Sequence, residues 1–428
     1  MRTSMEKYGL SILFLMGVVS VCATASINMH VTPTKHTKMH LLIITAHDAS
    51  PCIKEIASVL KKDFAFSGQF DVAIEAGKKQ INRQVKQSAL QGFPLIIFIA
   101  DAEDMVEWRL YNALQGSLIK GGTYQKKDMI MRGVAHALAD IIWPEITSQP
   151  GFFSSKIAYC KQIDRDDKHD YKYVYIADFD GSHEQLLVDS PTINVGPRFN
   201  KDREQCLVFY SQFTRQNVEM RVADMCKRQR MVSTFDGINM LPAFSDDGKK
   251  VVYCASNGSG NCHIYCFENK KLTKITDNNA HNISPVLAHN GTKMYYCSDV
   301  SGRPSIYCFD MESQKTEQIT HEGVCMSPSY CARTNTLAYC KKSNGIYQIY
   351  TYDCARKKHA QLTYNDGHKS ECSWSPCGNY VLYSVEKADM HYLETFNVLN
   401  KGTQRLAVPG KCSYPTWSIC YKEFPVVS

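Results

Sequence analysis

Six copies of a short cassette, spaced almost evenly along the last two-thirds of the chain, constrain this sequence more than any other feature. Each copy runs Pro, any residue, a bulky apolar or aromatic residue, then a small polar one. The copies are Pro197–Asn200, Pro242–Ser245, Pro285–Ala288, Pro328–Tyr330, Ser373–Ser375 (its Pro displaced to Pro376) and Pro415–Ser418. The bulky positions Phe199, Phe244, Leu287, Tyr330, Trp374 and Trp417 lie 45, 43, 43, 44 and 43 residues apart. A constant period of this length marks units that bury their apolar faces against their neighbours. The intervening sequence is strand-forming, so the expected array is a β-propeller rather than a helical solenoid.

Each unit repeats one order of signals. Asp247-Gly248, Asn290-Gly291 and Cys377-Gly378 follow the cassette and suit tight turns that need positive φ. A strand comes next, as in Val251–Cys254, Met294–Cys297, Leu337–Cys340 and Val381–Ser384. A third strand follows a loop, at Ile264–Cys266, Ile306–Cys308 and Ile349–Thr351, and a short fourth closes the unit at Leu272–Thr276, Glu317–Thr320 or Gln361–Thr363. Four short antiparallel strands make one blade. The two ends of the array are out of phase. The first unit starts at Ile157–Cys160 with no cassette before it, and the last cassette has almost nothing after it. The final segment is therefore expected to complete the first sheet, closing six blades over residues 151–428 without unpaired edges.

Residues 38–150 have a different texture and predict a small α/β domain. His40–Thr45 and Pro94–Ala100 are dense apolar runs suited to buried strands. Pro51–Lys61 has helical spacing, with Pro51 in the first turn and Asp48 or Ser50 as cap. A second amphipathic helix is expected over Tyr124–Ile142, stopped by Pro144. Gly121-Gly122 reads as a hairpin turn, because no Lys-Ser or Lys-Thr follows to make a phosphate loop. His136, beside apolar positions of the second helix, reads as a satisfied core or boundary histidine rather than a base.

Residues 1–25 read as a signal peptide: Arg2 and Lys7, an apolar run over Leu10–Val21, and the cleavage signal Ala23-Thr24-Ala25 before Ser26. Residues 26–37 read as a flexible arm. The net charge of +7 is spread without a basic block, which argues against nucleic-acid binding and leaves room for an anionic membrane neighbour. Eighteen cysteines are many for an exported chain. Cys160, Cys254, Cys297 and Cys340 recur at one place in successive units, too far apart to bridge one another. Two readings stay open for them: small apolar core residues, or hairpin-spanning bridges pairing Cys254 with Cys266 and Cys297 with Cys308.

Catalytic constellations are not indicated. The chain has no Gly-x-Ser-x-Gly elbow. Ser245-Asp246-Asp247-Gly248 lacks the Thr-Trp that completes a sialidase Asp box and reads as a turn. Strand alternation sends Cys262 and His263 to opposite faces, which disfavours zinc, and Asp164–Asp170 reads as a solvated hairpin rather than a calcium loop. No cofactor and no metal are expected.

The chain as a whole resembles the TolB family, the periplasmic component of the Tol–Pal envelope system. The resemblance rests on Ser298-Asp299, Gly302-Arg303-Pro304, Tyr307, Gln318-Ile319-Thr320 and Glu322-Gly323. It extends to the junction from His136 through Pro150-Gly151-Phe152-Phe153 to Lys156–Tyr159, and to Leu60 with Ser67-Gly68-Gln69-Phe70. It implies a non-enzymatic, monomeric periplasmic scaffold that supports outer-membrane invagination at division and outer-membrane integrity. A Pal-like peptidoglycan-associated lipoprotein would dock at the propeller mouth, on Asn239, Met240, Leu241, Ile283, Ser284, Met326, Ser327, Ser370, Glu371 and Tyr414. A TolA-like inner-membrane-linked protein would engage the arm at Ser26, Ile27, Asn28, Met29, His30 and Val31. The chain departs from the family pattern where a His and a Glu are replaced by Ile238 and Ser284. The docking surface is then altered, lost, or matched to a divergent partner. The competing expectation is an exported enzyme or lectin acting on peptide or glycan at the same opening.

Overall fold

A computed structural model describes residues 38–77, 81–126, 130–166, 169–232, 235–256 and 260–421. The expected signal peptide and arm, including Ser26–Val31, lie outside the described residues.

The first part is a five-stranded sheet in the order β2-β1-β3-β4-β5. Its strands are β1 (Met39–Thr45), β2 (Phe70–Ala76), β3 (Leu95–Ala102), β4 (Met105–Asn112) and β5 (Ser117–Gln125). β1 pairs in parallel with both β2 and β3, and β3, β4 and β5 form an antiparallel meander. Helices α1 (Pro51–Phe66) and α2 (Ile81–Leu90) make the parallel crossovers, and α3 (Met131–Thr147) follows β5. Ser50 is the cap of α1, its hydroxyl accepting from the Ile53 N–H at 3.3 Å.

Two expectations fail here. Tyr124 belongs to β5, and α3 starts only at Met131 and carries Pro144 inside it to end at Thr147. Pro144 is tolerated because it lies in the last turn. Its carbonyl accepts the Ser148 N–H, and Thr147 Oγ1 donates to the Trp143 carbonyl at 2.8 Å. Gly121 and Gly122 are not a turn; they sit mid-strand opposite Arg109 and Trp108. A Cβ on Gly121 would meet the Trp108 carbonyl at 3.0 Å, so the pair keeps the strand flush against β4.

From Lys156 onward the described elements are β-strands, apart from one 3-10 turn at His289–Gly291. Three four-stranded sheets contain the strands from Asn282 to Arg405. The remaining twelve strands are traced as one sheet, but single-residue parallel bridges, Lys172 to Ile193 and Val218 to Ile238, split it into three further groups of four. The first group holds β6 (Lys156–Asp166), β7 (His169–Asp178) and β8 (Gln185–Val188), and its innermost strand is Lys411–Trp417, from the far end of the chain. The other innermost strands are Ile193–Phe199, Ile238–Phe244, Asn282–Ala288, Cys325–Cys331 and His368–Trp374. Each touches the next, and Lys411–Trp417 touches Ile193–Phe199, so the six enclose a common axis.

The α/β part packs on the face where the innermost strands end. Phe64, Phe66 and Trp143 from its helices share one core with Phe152, Phe153, Phe179, Tyr380 and Trp417. Phe152 stacks on Phe153 with centroids 4.4 Å apart, and Phe66 meets Phe179 edge-on at 4.9 Å. The Asp140 carboxylate fastens the junction, accepting the backbone N–H groups of Phe153 and Ser154 at 2.7 and 3.0 Å.

The hairpin disulfides do not form. Cys254 faces Ile264 and Cys266 faces Val252; Cys297 faces Ile306 and Cys308 faces Tyr295. All 17 described cysteines are free thiols, and most are buried. Burial pushes up the pKa values of several buried thiols, Cys254 to about 12 and Cys377 to about 11, and the thiolate is the reactive form. In native protein, a thiol reagent is expected to modify Cys52 and Cys226, the exposed pair, well before the buried cysteines, which react on denaturation. Peptide mapping that finds Cys254, Cys297 or Cys340 modified at the same rate contradicts this packing.

Candidate functional site

The cassette has a structural cause. Every innermost strand is interrupted by a β-bulge just where its cassette begins. At each bulge one residue is left-handed: Gly196 (φ 60°), Leu241 (54°), Ser284 (53°), Ser327 (53°), Glu371 (58°) and Tyr414 (53°). Only the first is a glycine, so five positions hold a conformation that side chains disfavour. The Pro that follows four of these five prefers an extended predecessor, which adds to the strain. These six residues ring the axis midway along the innermost strands; the strand ends meet the α/β part, and the mouth opens toward the strand starts.

The expected docking residues divide into two sets. Met240, Leu241, Ile283, Ser284, Met326, Ser327, Ser370, Glu371 and Tyr414 are all half-buried around this ring. Asn239 is fully buried behind it. Its amide donates to the Phe235 carbonyl at 2.7 Å and accepts the Phe235 N–H at 3.3 Å, so it holds the preceding loop in place. Asn194 and Asn282 do the same work one unit away on either side, through bonds to the Lys172 and Ala280 carbonyls at 2.8 and 2.9 Å. In another unit Lys369 replaces them, its ammonium donating to the carbonyls of Asn365, Asp366 and Gly367. Asn194, Asn282 and Lys369 were missed from sequence. The signal was present as Asn-x-x-Pro at Asn194, Asn239 and Asn282.

Glu371 is the one acidic member of the ring. It retains some surface on the axis, but its carboxyl is packed among protein atoms, and that desolvation raises its pKa against the lowering effect of its hydrogen bonds. It accepts the Tyr414 N–H, and the Ser384 hydroxyl at 3.1 Å. Beside it the Lys172 ammonium lies 5.4 Å from the centre of the Tyr414 ring. Among the described residues, no group of three or more His, Cys, Asp or Glu is placed to hold a metal ion. The mouth is a polar and apolar rim built on a stiff frame, which suits binding of an inserted loop.

Comparison with known proteins places this architecture. The Tol-Pal system protein TolB of Gluconobacter oxydans (strain 621H) is 28% identical over 176 residues, 41% of this chain and 38% of that protein. The protein of the same description from Rickettsia bellii (strain OSU 85-389) is 29% identical over 157 residues, 36% of this chain and 35% of its own length. The matches thus span well under half of these curated relatives. The crystal structure of TolB from Acinetobacter baumannii superposes with a TM-score of 0.77 over 90% of this chain and 97% of that one, at 21% identity, which speaks for the fold. The family model described as the TolB beta propeller domain matches residues 143–421. That is more than half of the chain and includes every ring position described above, and the chain belongs to the TolB β-propeller family.

Proposed function

We propose that this chain is a non-enzymatic scaffold of a Tol–Pal envelope system, acting in the periplasm by binding protein partners. A Pal-like peptidoglycan-associated lipoprotein inserts a loop at the ring mouth, and a TolA-like protein engages the arm at Ser26–Val31. Through these contacts the protein supports outer-membrane invagination at division and outer-membrane integrity. The observation that supports this reading most is the ring of six bulge residues of five different types, one in each innermost strand. A frame fixed in advance lets a partner dock with little ordering cost.

The test should avoid Asn239 and Glu371, whose replacement would also disturb the frame. Met240→Asp with Met326→Asp places two carboxylates on half-buried apolar rim positions. Capture of the cognate lipoprotein should weaken by at least tenfold, on the scale of losing a buried contact at an interface centre. Undiminished capture, with circular dichroism unchanged, would remove the mouth from the docking surface.

A further inference from the structure

Two cations near the axis of the ring have no ion pair among the described residues. Arg198 and Lys201 lie on and just beyond the innermost strand Ile193–Phe199, and neither forms an ion pair within 4.0 Å among the described residues. Among the described residues the guanidinium makes one hydrogen bond, from Nη1 to the carbonyl of Pro197 at 2.8 Å. Both side chains reach the middle of the ring. Arg198 interacts electrostatically with Cys160, Cys254, Cys372, Glu371 and Tyr414, which come from three other units. Lys201 senses Asp246 on the neighbouring unit and Cys331 on the unit across the axis. Protein atoms surround both groups and pull their pKa values down, the direction expected of a cation lacking a close counter-charge.

The carboxyls that act on them electrostatically, Glu371 on Arg198 and Asp246 on Lys201, form no ion pair with them among the described residues. Glu371 is engaged by Tyr414 and Ser384, stands beyond ion-pair range of Arg198, and is itself held toward its neutral form by burial. Lys172 at the rim adds a third positive charge on the mouth side. A forked guanidinium with most of its donors unused, in a site with restricted water, is suited to two-oxygen recognition of an anion.

We propose that the ring axis is an anion site, in which Arg198 binds a carboxylate or phosphate oxygen pair entering past Lys172, with Lys201 supplying charge from below. This deepens the docking reading, since the anion can be an acidic side chain on the inserted loop, but the site stands or falls by itself. The experiment is calorimetric titration of the full chain with inorganic phosphate in low-chloride buffer. Saturable binding is expected, weakened at least tenfold by Arg198→Met and several-fold by Lys201→Met. Arg198→Lys keeps the charge without the fork and should fall between, which guards against misreading a folding defect.

A second titration uses a blocked pentapeptide carrying a single Asp, with its Asn counterpart as control. Competition with phosphate by the Asp peptide alone supports a partner's carboxylate as the source. Phosphate binding without competition supports a free anion. Phosphate binding that is absent, or equal in wild type and Arg198→Met, overturns the site. Loss of lipoprotein capture in the rim variants with phosphate binding intact would separate the two readings.

Discussion

Replacing His136 with Ala is expected to cost about 3–5 kcal/mol of stability, the scale of breaking a buried ion pair from one side. His136 is buried on α3 with both ring nitrogens against carboxylates. Nδ1 lies 2.8 Å from Asp63 on α1, and Nε2 lies 3.4 Å from Asp178 at the end of β7. A neutral imidazole would turn a lone pair toward one of them, so the ring is held as imidazolium and donates to both. Arg132 Nε donates to Asp178 and its Nη2 to both Asp180 carboxylate oxygens at 3.0 Å, and Lys156 also reaches Asp178. Arg132, His136 and Lys156 thus balance Asp63, Asp178 and Asp180, and the balance spans both parts of the molecule. Removing the histidine leaves Asp63 buried with no counter-charge in contact; its Oδ1 already has no hydrogen-bond partner. The urea unfolding midpoint should fall accordingly. A loss below about 1 kcal/mol, typical of an exposed pair, would mean the network contributes nothing special.

The same network sets a pH signature. The Asp63 and Asp178 carboxylates, outweighing burial, raise the His136 pKa from its ordinary 6.5 to about 9. The stability it contributes is complete below 6.5 and is lost as pH rises through about 9. Asp178 shifts the other way. His136 and Lys156 overcome its burial and hold it well below the usual carboxylate range, so its contribution is present above 3.8 and is lost in acid. Asp63 is raised to about 6 by desolvation; what it contributes below 3.8 is lost through about 6, offsetting part of the histidine's gain. Wild-type stability should decline on the alkaline side between roughly pH 8 and 10. In His136→Ala that limb should flatten, and an unchanged limb would assign it to other groups.

The network also marks what the sequence could and could not disclose. That His136 is a satisfied buried histidine was legible from its place among apolar helix positions. Its partner Asp63 is 73 residues away, and nothing local to either residue points to the other. The cassette shows the opposite pattern. Its period was plain, because each unit repeats the same apolar contacts, and it led directly to the pairing of Lys411–Trp417 with β6. The left-handed bulge that the cassette encodes was not legible, since Leu241, Ser284, Ser327, Glu371 and Tyr414 are residue types that rarely adopt it. Propensity gave no warning there; tertiary packing imposes the conformation. The α3 boundary failed for a related reason. The amphipathic pattern runs back to Tyr124, but β4 offers that segment a pairing edge, and the pairing prevails over helical periodicity. At the mouth, side-chain type identified the rim but could not separate half-buried Met240 from structural Asn239, one residue apart.

Ending the chain at Gly410 is expected to abolish the folded monomer. The missing strand supplies the innermost pairing of the first group, from Lys411 opposite Gln162 to Trp417 opposite Ile157. Without it β6 presents an unpaired edge, and an unpaired edge invites association with other chains. The loss reaches beyond one sheet. The Trp417 indole N–H donates to Ser155 Oγ at 2.8 Å, its backbone N–H to Ser373 Oγ at 2.9 Å, and its ring packs near Tyr380 and Phe152. Ser418 exchanges two bonds of 2.8 Å with the backbone of Lys156, and the Tyr421 hydroxyl reaches Asn200 at 3.1 Å. The segment therefore joins the first unit to both neighbours and to the aromatic core beneath the α/β part. Trp417→Ala alone removes a buried indole and should cost about 3–5 kcal/mol. The truncated chain should lose its near-ultraviolet dichroism and aggregate, and a synthetic peptide of residues 411–421 added during refolding should restore part of the monomer. A truncated chain that stays monomeric with the wild-type unfolding midpoint would show that the ring does not depend on this strand for closure.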